Sequence, residues 1–144
     1  DAANEHRDER GLDPDRVRFE QATADDFGEG DFDLITCFDA LHDMGDPVGT
    51  AAHIAQKLKP DGTWMVVEPM AGDELTENFN PVGRLFYAAS TTICVPTSLA
   101  QKTGLALGAQ AGERKLTEVI KAGGFQTVRR ATETPFNIVL EARH

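Results

Sequence analysis

A histidine between aspartates follows the apolar run FDLITCF, and these are the residues of this chain best suited to chemistry. The run covers Phe32–Phe38, Asp39 follows it directly, and His42 and Asp43 come next. An imidazole has a reference pKa of about 6.5, so it is largely neutral at pH 7 and can accept a proton within hydrogen-bond reach. His42 is therefore a candidate general base, or else it caps or packs at a strand–helix junction. Asp43 either orients a bound molecule or favours the start of the next helix.

The elements that position these residues follow an alternating pattern, which predicts an α/β fold. Val17–Ala22 alternates apolar and polar residues as a strand does, and Phe32–Phe38 is more continuously apolar, as in a strand covered on both faces. Asp46 then resembles a helix N-cap, and Pro47 stands at the first helical position. Thr63–Pro69 is another buried strand. Strand, helix and strand in this order predict a right-handed βαβ unit and a parallel sheet.

The second half of the chain has a weaker pattern followed by clear elements. Between about residues 71 and 112, apolar residues are scattered among glycines, serines and threonines, which favours short helices that form a cover. Glu113–Gly124 predicts a helix, and Phe125–Thr132 and Phe136–Arg143 predict two strands in an antiparallel hairpin. The first eleven residues have the character of a helix ended by Gly11, without an initiating Met, so we expect a fragment or a processed product.

Composition and charge exclude several partners. The 144 residues suffice for a single domain, residues 1–144, and the net charge is −10. This charge argues against nucleic acid and anionic membrane as partners, because both require a basic face. No apolar run approaches the length of a membrane span.

The cysteines and histidines predict neither a disulfide nor a metal site. Cys37 and Cys94 lie in apolar surroundings in the sequence, so we expect two free thiols in a reducing cytoplasm. His42, Asp43, Asp46 and His53 are close in sequence but lack a standard ligand spacing, and we therefore expect no metal.

The motifs together resemble one enzyme family. LKPDG precedes the second strand of the βαβ unit, and AGGF and a terminal hairpin follow later, as in the class I S-adenosylmethionine-dependent methyltransferases. HDMGD is similar to the His-Asp pair that many small-molecule O-methyltransferases carry after the fourth strand. The string LHDMGDPVG…LKPDGTWMVVEPMAGD…NPVGRLFY resembles an actinobacterial branch of these enzymes, and the resemblance covers essentially the whole chain.

The resemblance implies a cofactor, S-adenosyl-L-methionine, a small-molecule methyl acceptor and a set of site residues. His42 would take the proton of the acceptor hydroxyl, Asp43 would lie beside it, and Glu68 would hold the imidazole. The cofactor would contact residues after the third and fourth strands, which correspond to Thr23, Ala24, Phe38 and Asp39. The family's other glutamate corresponds to Gln110, which can form hydrogen bonds but carries no negative charge.

Parts of the family pattern are absent from the sequence. The family's glycine-rich loop follows its first strand, whereas GEG (Gly28–Gly30) precedes a strand and GAQAG (Gly108–Gly112) follows none. The implied fold is thus a Rossmann-like methyltransferase sheet, mostly parallel with an antiparallel C-terminal hairpin, that lacks the N-terminal strands. With the family order 3-2-1-4-5-7-6, Phe32–Phe38 would become an exposed edge. An exposed edge pairs readily with another chain, so we expect a homo-oligomer or association with the missing N-terminal part.

Three functions remain open at this point. The first is an S-adenosylmethionine-dependent O-methyltransferase, represented by its C-terminal part. The second is a non-catalytic, methyltransferase-like module that dimerises through its exposed strand. The third, a nicotinamide-dependent enzyme, would require a dinucleotide fingerprint that the sequence lacks.

Overall fold

The computed structural model describes residues 2–144 and contains helices and one sheet. The elements, in chain order, are α1 (Ala2–Glu9), β1 (Phe32–Phe38), a 3-10 turn (Leu41–Asp43), α2 (Pro47–Lys57), β2 (Leu58–Pro69), a 3-10 turn (Leu75–Asn78), α3 (Pro81–Ala89), a π turn (Ser90–Cys94), α4 (Val95–Leu99), α5 (Gly112–Ala122), β3 (Thr127–Glu133) and β4 (Asn137–Arg143).

The four strands form a sheet in the order β1-β2-β4-β3. β1 and β2 are parallel and joined by α2, which confirms the predicted βαβ unit. β4 is antiparallel to β2 and to β3, which confirms the terminal hairpin. This order corresponds to strands 4-5-7-6 of the implied family sheet, and the predicted fold class is confirmed.

Helix α2 begins where the sequence predicts. Asp46 is the N-cap, and its side chain accepts a hydrogen bond from the backbone N–H of Gly49 at 2.9 Å. Pro47 occupies the first turn, where its missing N–H costs no helical hydrogen bond. The cap therefore fixes the start of α2 only a few residues after His42.

The hydrophobic core lies on one face of the sheet. Trp64 and Val66 alternate along β2 and are fully buried between the sheet and helices α2 and α5. The core side chains are Leu41, Ala51, Ile54, Leu58, Trp64, Val66, Leu116, Ile120, Phe125, Ile138, Leu140 and Ala142. Met65 and Val67 face the opposite side of the sheet and are only half-buried.

One predicted strand is wrong. Val17–Ala22 forms no strand and is mostly exposed, although its residues alternate as a strand requires. A strand needs a neighbour for its backbone hydrogen bonds, and the family's neighbouring strands do not occur in the described part of the chain. The alternating residues therefore have no neighbouring strand to pair with and do not form a strand.

Strand β1 is an edge with exposed apolar side chains, as the sequence predicts. Leu34 is 55% exposed and Phe38 is 61% exposed. The chain exposes 8641 Å², whereas a compact monomer of 15.6 kDa exposes about 7,200 Å². The excess surface agrees with a sheet that is open at this edge.

The segment between β2 and α5 contains short helices. α3, the π turn and α4 follow one another directly, from Pro81 to Leu99. Phe79 and Tyr87, two aromatic residues of this segment, are 75% and 38% exposed. Within residues 2–144, no helix has the length and apolar character needed to cross a bilayer.

Candidate active site

The 3-10 turn after β1 places His42 inside the protein. The backbone N–H of Asp39 still donates to Val67 O at 2.8 Å, and Asp39 then adopts a positive φ of 45°, which non-glycine residues rarely do. This sharp bend leads into Leu41–Asp43, where Leu41 and His42 are buried. His42 is only 4% exposed, so its ring must be satisfied by protein groups.

Glu68 satisfies one side of the ring. The side chain of Glu68 follows Trp64 and Val66 on the buried face of β2 and is itself 1% exposed. Its Oε2 lies 2.5 Å from His42 Nδ1, and its Oε1 accepts from the backbone N–H groups of Leu41 at 2.9 Å and Ala40 at 3.3 Å. Both carboxylate oxygens therefore hold the turn that carries His42.

The environment changes the pKa of His42. Burial by itself lowers this pKa, but the hydrogen bond and charge of Glu68 outweigh burial, and the charges of Asp43 and Asp39 act in the same direction. The net result is a pKa above the ordinary value for histidine. A proton that reaches His42 is thus stabilised by the carboxylates around it.

The second ring nitrogen faces a different group of side chains. Nε2 of His42 lies 3.3 Å from Oδ1 of Asp43. His42, Asp43 and Cys94 each offer one donor atom, and these three atoms lie within 4.8 Å of one another. The Oδ1 of Asp43 is buried and accepts from no nitrogen or oxygen donor of the described residues, whereas burial first, and then a hydrogen bond with Asp43, raise the pKa of the Cys94 thiol.

Helix α4 and the residues directly after it form hydrogen bonds with the turn that carries His42. Ser98 Oγ donates to Met44 O at 2.8 Å, and Gln101 Nε2 donates to Asp43 O at 2.9 Å. On the other side, the backbone N–H of Gly108 donates to His42 O at 3.2 Å. These contacts fix the cover against the carboxyl end of β1.

The residues that the resemblance assigns to the cofactor are divided between two places. Thr23 and Ala24 line a cavity of about 470 Å³ together with Met44, Asp46 and Thr50. This cavity therefore adjoins the loop that follows His42. Phe38 and Asp39 are not among its lining residues, and Asn137 Nδ2 donates to Asp39 Oδ1 at 3.2 Å.

Other residues differ from the expectation. Gln110 has a buried Oε1 without a partner in the described residues, and its Nε2 makes only a long contact of 3.5 Å with Ala109 O. Both cysteines are free, as predicted, but Cys94 lies beside His42 and Asp43 and not in purely apolar surroundings. No local spacing in the sequence indicates this contact, because Cys94 comes from a distant helix.

His53 and Asp46, which are close to His42 in the sequence, have other partners. His53 Nε2 lies 3.0 Å from Phe27 O, and its ring packs edge-on against the Phe27 ring at 4.7 Å. Asp46 caps α2. Neither belongs to the group around His42 Nε2.

Comparisons with known proteins agree with this architecture. A family model described as a methyltransferase domain matches residues 1–64. An uncharacterized methyltransferase of Bacillus subtilis (strain 168), YcgJ, is 34% identical over 89 residues, which cover 59% of this chain and 34% of that protein. The structure of an O-methyltransferase family protein from Burkholderia thailandensis matches 99% of this chain with a TM-score of 0.68 at 20% identity. The chain has a methyltransferase fold.

The methyltransferase fold is shared with more distant structures, and the predicted resemblance to class I methyltransferases is confirmed. Human N-acetylserotonin methyltransferase, solved in complex with S-adenosylmethionine, matches 90% of this chain with a TM-score of 0.60 at 16% identity. The chain spans 40% of the Burkholderia structure and 34% of the human one. It therefore corresponds to part of those proteins.

Proposed function

We propose that this chain is the carboxy-terminal part of an S-adenosylmethionine-dependent methyltransferase that methylates a hydroxyl group of a small molecule. The observation that carries the proposal is the buried contact of 2.5 Å between His42 and Glu68 at the carboxyl ends of two parallel strands. Ligands of open α/β sheets bind at this end of the strands. The methyltransferase relatives support the reaction class.

His42 is the general base in this proposal. The neutral tautomer that donates Nδ1–H to Glu68 leaves a lone pair on Nε2, and this atom takes the proton of the acceptor hydroxyl. The imidazolium that results has Glu68 on one side and Asp43 on the other, 3.3 Å from Nε2. Asp43 also stands where it can orient the acceptor. General-base catalysis of this kind contributes a factor of about 10² to 10⁴.

Glu68 acts through His42 and is a positioning residue. Its two oxygens bind the imidazole and two backbone N–H groups, so a shift of the carboxylate moves the base itself. A misplacement of about 1 Å can cost a factor of about 100 in rate. Gln110 supplies no second carboxylate, so Glu68 alone orients the imidazole.

The residues of this chain fit part of the cofactor. When bound, S-adenosylmethionine supplies the electrophilic methyl group. The cavity at Thr23, Ala24 and Met44 offers a hydroxyl group and apolar surface, which suits an adenine ring. Phe38 is exposed at the end of β1 and presents an aromatic face, and Asp39 follows it with a carboxylate.

The residues that the structure describes do not form the remaining part of the cofactor site. Within residues 2–144, no strand is followed by a glycine-rich loop that could approach the methionine portion. We infer that a segment with the first two strands of the fold completes the site. Two free thiols agree with a reducing, cytoplasmic location for the complete enzyme.

Calorimetric titration with S-adenosylhomocysteine tests the proposal. The chain alone should bind weakly or without detectable heat, and a longer chain that adds the first two strands should bind one equivalent. His42→Ala in the longer chain should retain this affinity, because the base contacts the acceptor and not the nucleoside. A longer chain that does not bind S-adenosylhomocysteine would overturn the assignment.

A second function is favoured by the exposed edge. Leu34 and Phe38 leave apolar surface on β1 in contact with water, and each forfeits roughly half of the about 1.5–3 kcal/mol that complete burial gives. A non-catalytic module could recover this energy by dimerising through β1. Sedimentation of the chain would then give a dimer that Leu34→Lys dissociates, whereas Leu99→Lys, at an exposed position of α4, would not. A monomer at all concentrations excludes this alternative.

A further inference from the structure

We propose that His42, Asp43 and Cys94 form a binding site for a thiophilic divalent cation, of which Zn²⁺ is the representative. Nitrogen, oxygen and sulfur donors of this kind are those that zinc sites in proteins use. The three donor atoms already lie within 4.8 Å of one another. They come from two separate elements, the 3-10 turn after β1 and the π turn Ser90–Cys94.

The distance between the nitrogen and oxygen donors fits tetrahedral coordination. Zn–N and Zn–O bonds of about 2.0–2.2 Å at the tetrahedral angle place the nitrogen and oxygen about 3.3–3.5 Å apart. Nε2 of His42 and Oδ1 of Asp43 are 3.3 Å apart, so this edge of the tetrahedron needs no rearrangement. The sulfur would need to lie about 3.5 Å from the nitrogen, and it lies within 4.8 Å of the other two donor atoms, so cation binding would draw it closer by about 1.3 Å at most.

Glu68 orients the histidine ligand in the manner that metal sites require. A metal-bound imidazole usually donates its other N–H to a carboxylate, which fixes the tautomer and raises the basicity of the ligand nitrogen. Nδ1 of His42 lies 2.5 Å from Glu68 Oε2, so in the neutral ring the lone pair is on Nε2, the nitrogen beside Asp43.

Asp43 provides a further observation. Its Oδ1 is buried, no nitrogen or oxygen donor of the described residues bonds to it, and the neighbouring group that can donate to this carboxylate is the Cys94 thiol. When His42 is neutral with Nδ1–H toward Glu68, the 3.3 Å contact between Nε2 and Asp43 Oδ1 joins two electron-pair donors. A cation that replaces the thiol proton would satisfy the nitrogen, the oxygen and the sulfur together.

Cys94 is held in place by the helix that contains it. It ends the π turn, and π turns frequently occur at functional sites. The residues that follow bind the His42 turn, through Ser98 to Met44 O and through Gln101 to Asp43 O. The thiol and the other two donors therefore belong to one connected unit, which reduces the cost of bringing them together.

Three protein donors leave the fourth position of a tetrahedral cation open, as in catalytic zinc sites. If the proposed function is correct, the cation occupies the same Nε2 that takes the acceptor proton, and it therefore inhibits methyl transfer. This consequence rests on the proposed function, whereas the binding site rests on the geometry alone.

Titration of the chain with Co²⁺ tests the site without cofactor or acceptor. One equivalent should produce a thiolate-to-cobalt charge-transfer band in the near ultraviolet, and Zn²⁺ should displace the Co²⁺ and abolish the band. Cys94→Ser should remove the band, whereas Cys37→Ser, at the other free thiol, should leave it unchanged. Glu68→Gln, which changes only the partner of the histidine ligand, should keep the band and weaken binding about 10–100-fold. Asp43→Asn, which removes the charge of a ligand, should keep the band and weaken binding at least as much. Circular dichroism of each variant checks that it is folded.

The proposal is overturned if the folded wild-type chain gives no charge-transfer band, or if the band survives Cys94→Ser. Loss of the band in folded Cys37→Ser would also overturn it, because the ligand would then be the other thiol. Binding of Co²⁺ by a chain whose longer form fails to bind S-adenosylhomocysteine would retain this site and refute the proposed function. Absence of Co²⁺ binding by a chain whose longer form binds S-adenosylhomocysteine would refute this metal site and retain the proposed function.

Discussion

Nδ1 of His42 lies 2.5 Å from Oε2 of Glu68, a contact that joins the turn after β1 to the end of β2. The two strands are parallel neighbours, with Phe38 paired to Val67, so their carboxyl ends meet at one edge of the sheet. The contact therefore depends on strand register, since a shift of one residue would turn Glu68 away from the buried face.

Combined substitution of His42 and Glu68 should show that they act as one unit. In an enzyme that contains this chain and the first two strands, His42→Ala should lower kcat at least about 100-fold, because proton transfer to Nε2 is lost. Glu68→Gln should also lower kcat in the wild-type background. In the His42→Ala background it should have almost no further effect, because Glu68 acts only through the imidazole. The measurement is methyl transfer to a panel of phenolic acceptors.

Additive losses in this cycle would contradict the positioning role of Glu68 and indicate a general structural defect. Affinity for S-adenosylhomocysteine is the control, and it should change less than about threefold in each variant, within the usual uncertainty of such comparisons.

Removal of the Glu68 carboxylate should destabilise the fold. Glu68→Ala leaves the backbone N–H groups of Ala40 and Leu41 without their acceptor, at a cost of about 2–5 kcal/mol in the free energy of unfolding. Glu68→Gln keeps one acceptor oxygen and should cost less. The control is Glu118→Ala, which removes an exposed partner of Lys115 and should change stability by less than about 0.5 kcal/mol. Equal free energies of unfolding for Glu68→Ala and Glu118→Ala in urea denaturation would contradict a stabilising role of the Glu68 carboxylate.

Local rules are sufficient for much of this fold. The cap of α2 follows from Asp46 and Pro47, whose preferred backbone conformations and hydrogen bonds involve only the next few residues. The strand pattern of Thr63–Pro69 also holds within β2, because burial on the Trp64 face is strong enough to fix it. The family resemblance predicts that His42 and Glu68 form a pair. The distance between them depends on the register of β1 and β2, which the sequence alone does not give.

The sequence does not predict features that depend on contacts between distant segments. Val17–Ala22 has a strand pattern but no neighbouring strand in the described chain, so the pattern has no structural effect. Cys94 reaches His42 only because α3, the π turn and α4 fold back over the end of β1. Neither outcome can be derived from the spacing of nearby residues.

The contact between α2 and α5 should not tolerate a side chain at Gly123. A Cβ atom there would lie 2.3 Å from the Cβ of Ala51 and 2.8 Å from the backbone N of Ala52, so Gly123→Ala must push the two helices apart. The expected loss is about 1–3 kcal/mol in the free energy of unfolding. Gly28→Ala is the matched control, because a Cβ at Gly28 meets no atom within 4 Å. Equal denaturation midpoints for the two variants would disprove the close packing.

The thiol of Cys37 should react slowly in the native protein. Burial and the charge of Glu68 raise the pKa of Cys37 to about 11 from an ordinary value of 9.0. Only the thiolate is nucleophilic, so at pH 8 the reactive fraction falls from about a tenth to about a thousandth, and modification by a disulfide reagent should be about 100-fold slower than in urea. Between pH 8 and pH 10 the native rate should rise about 100-fold, since each pH unit raises the thiolate fraction tenfold. The Cys94→Ser variant isolates this thiol, and a native rate at pH 8 equal to the unfolded rate would contradict the raised pKa.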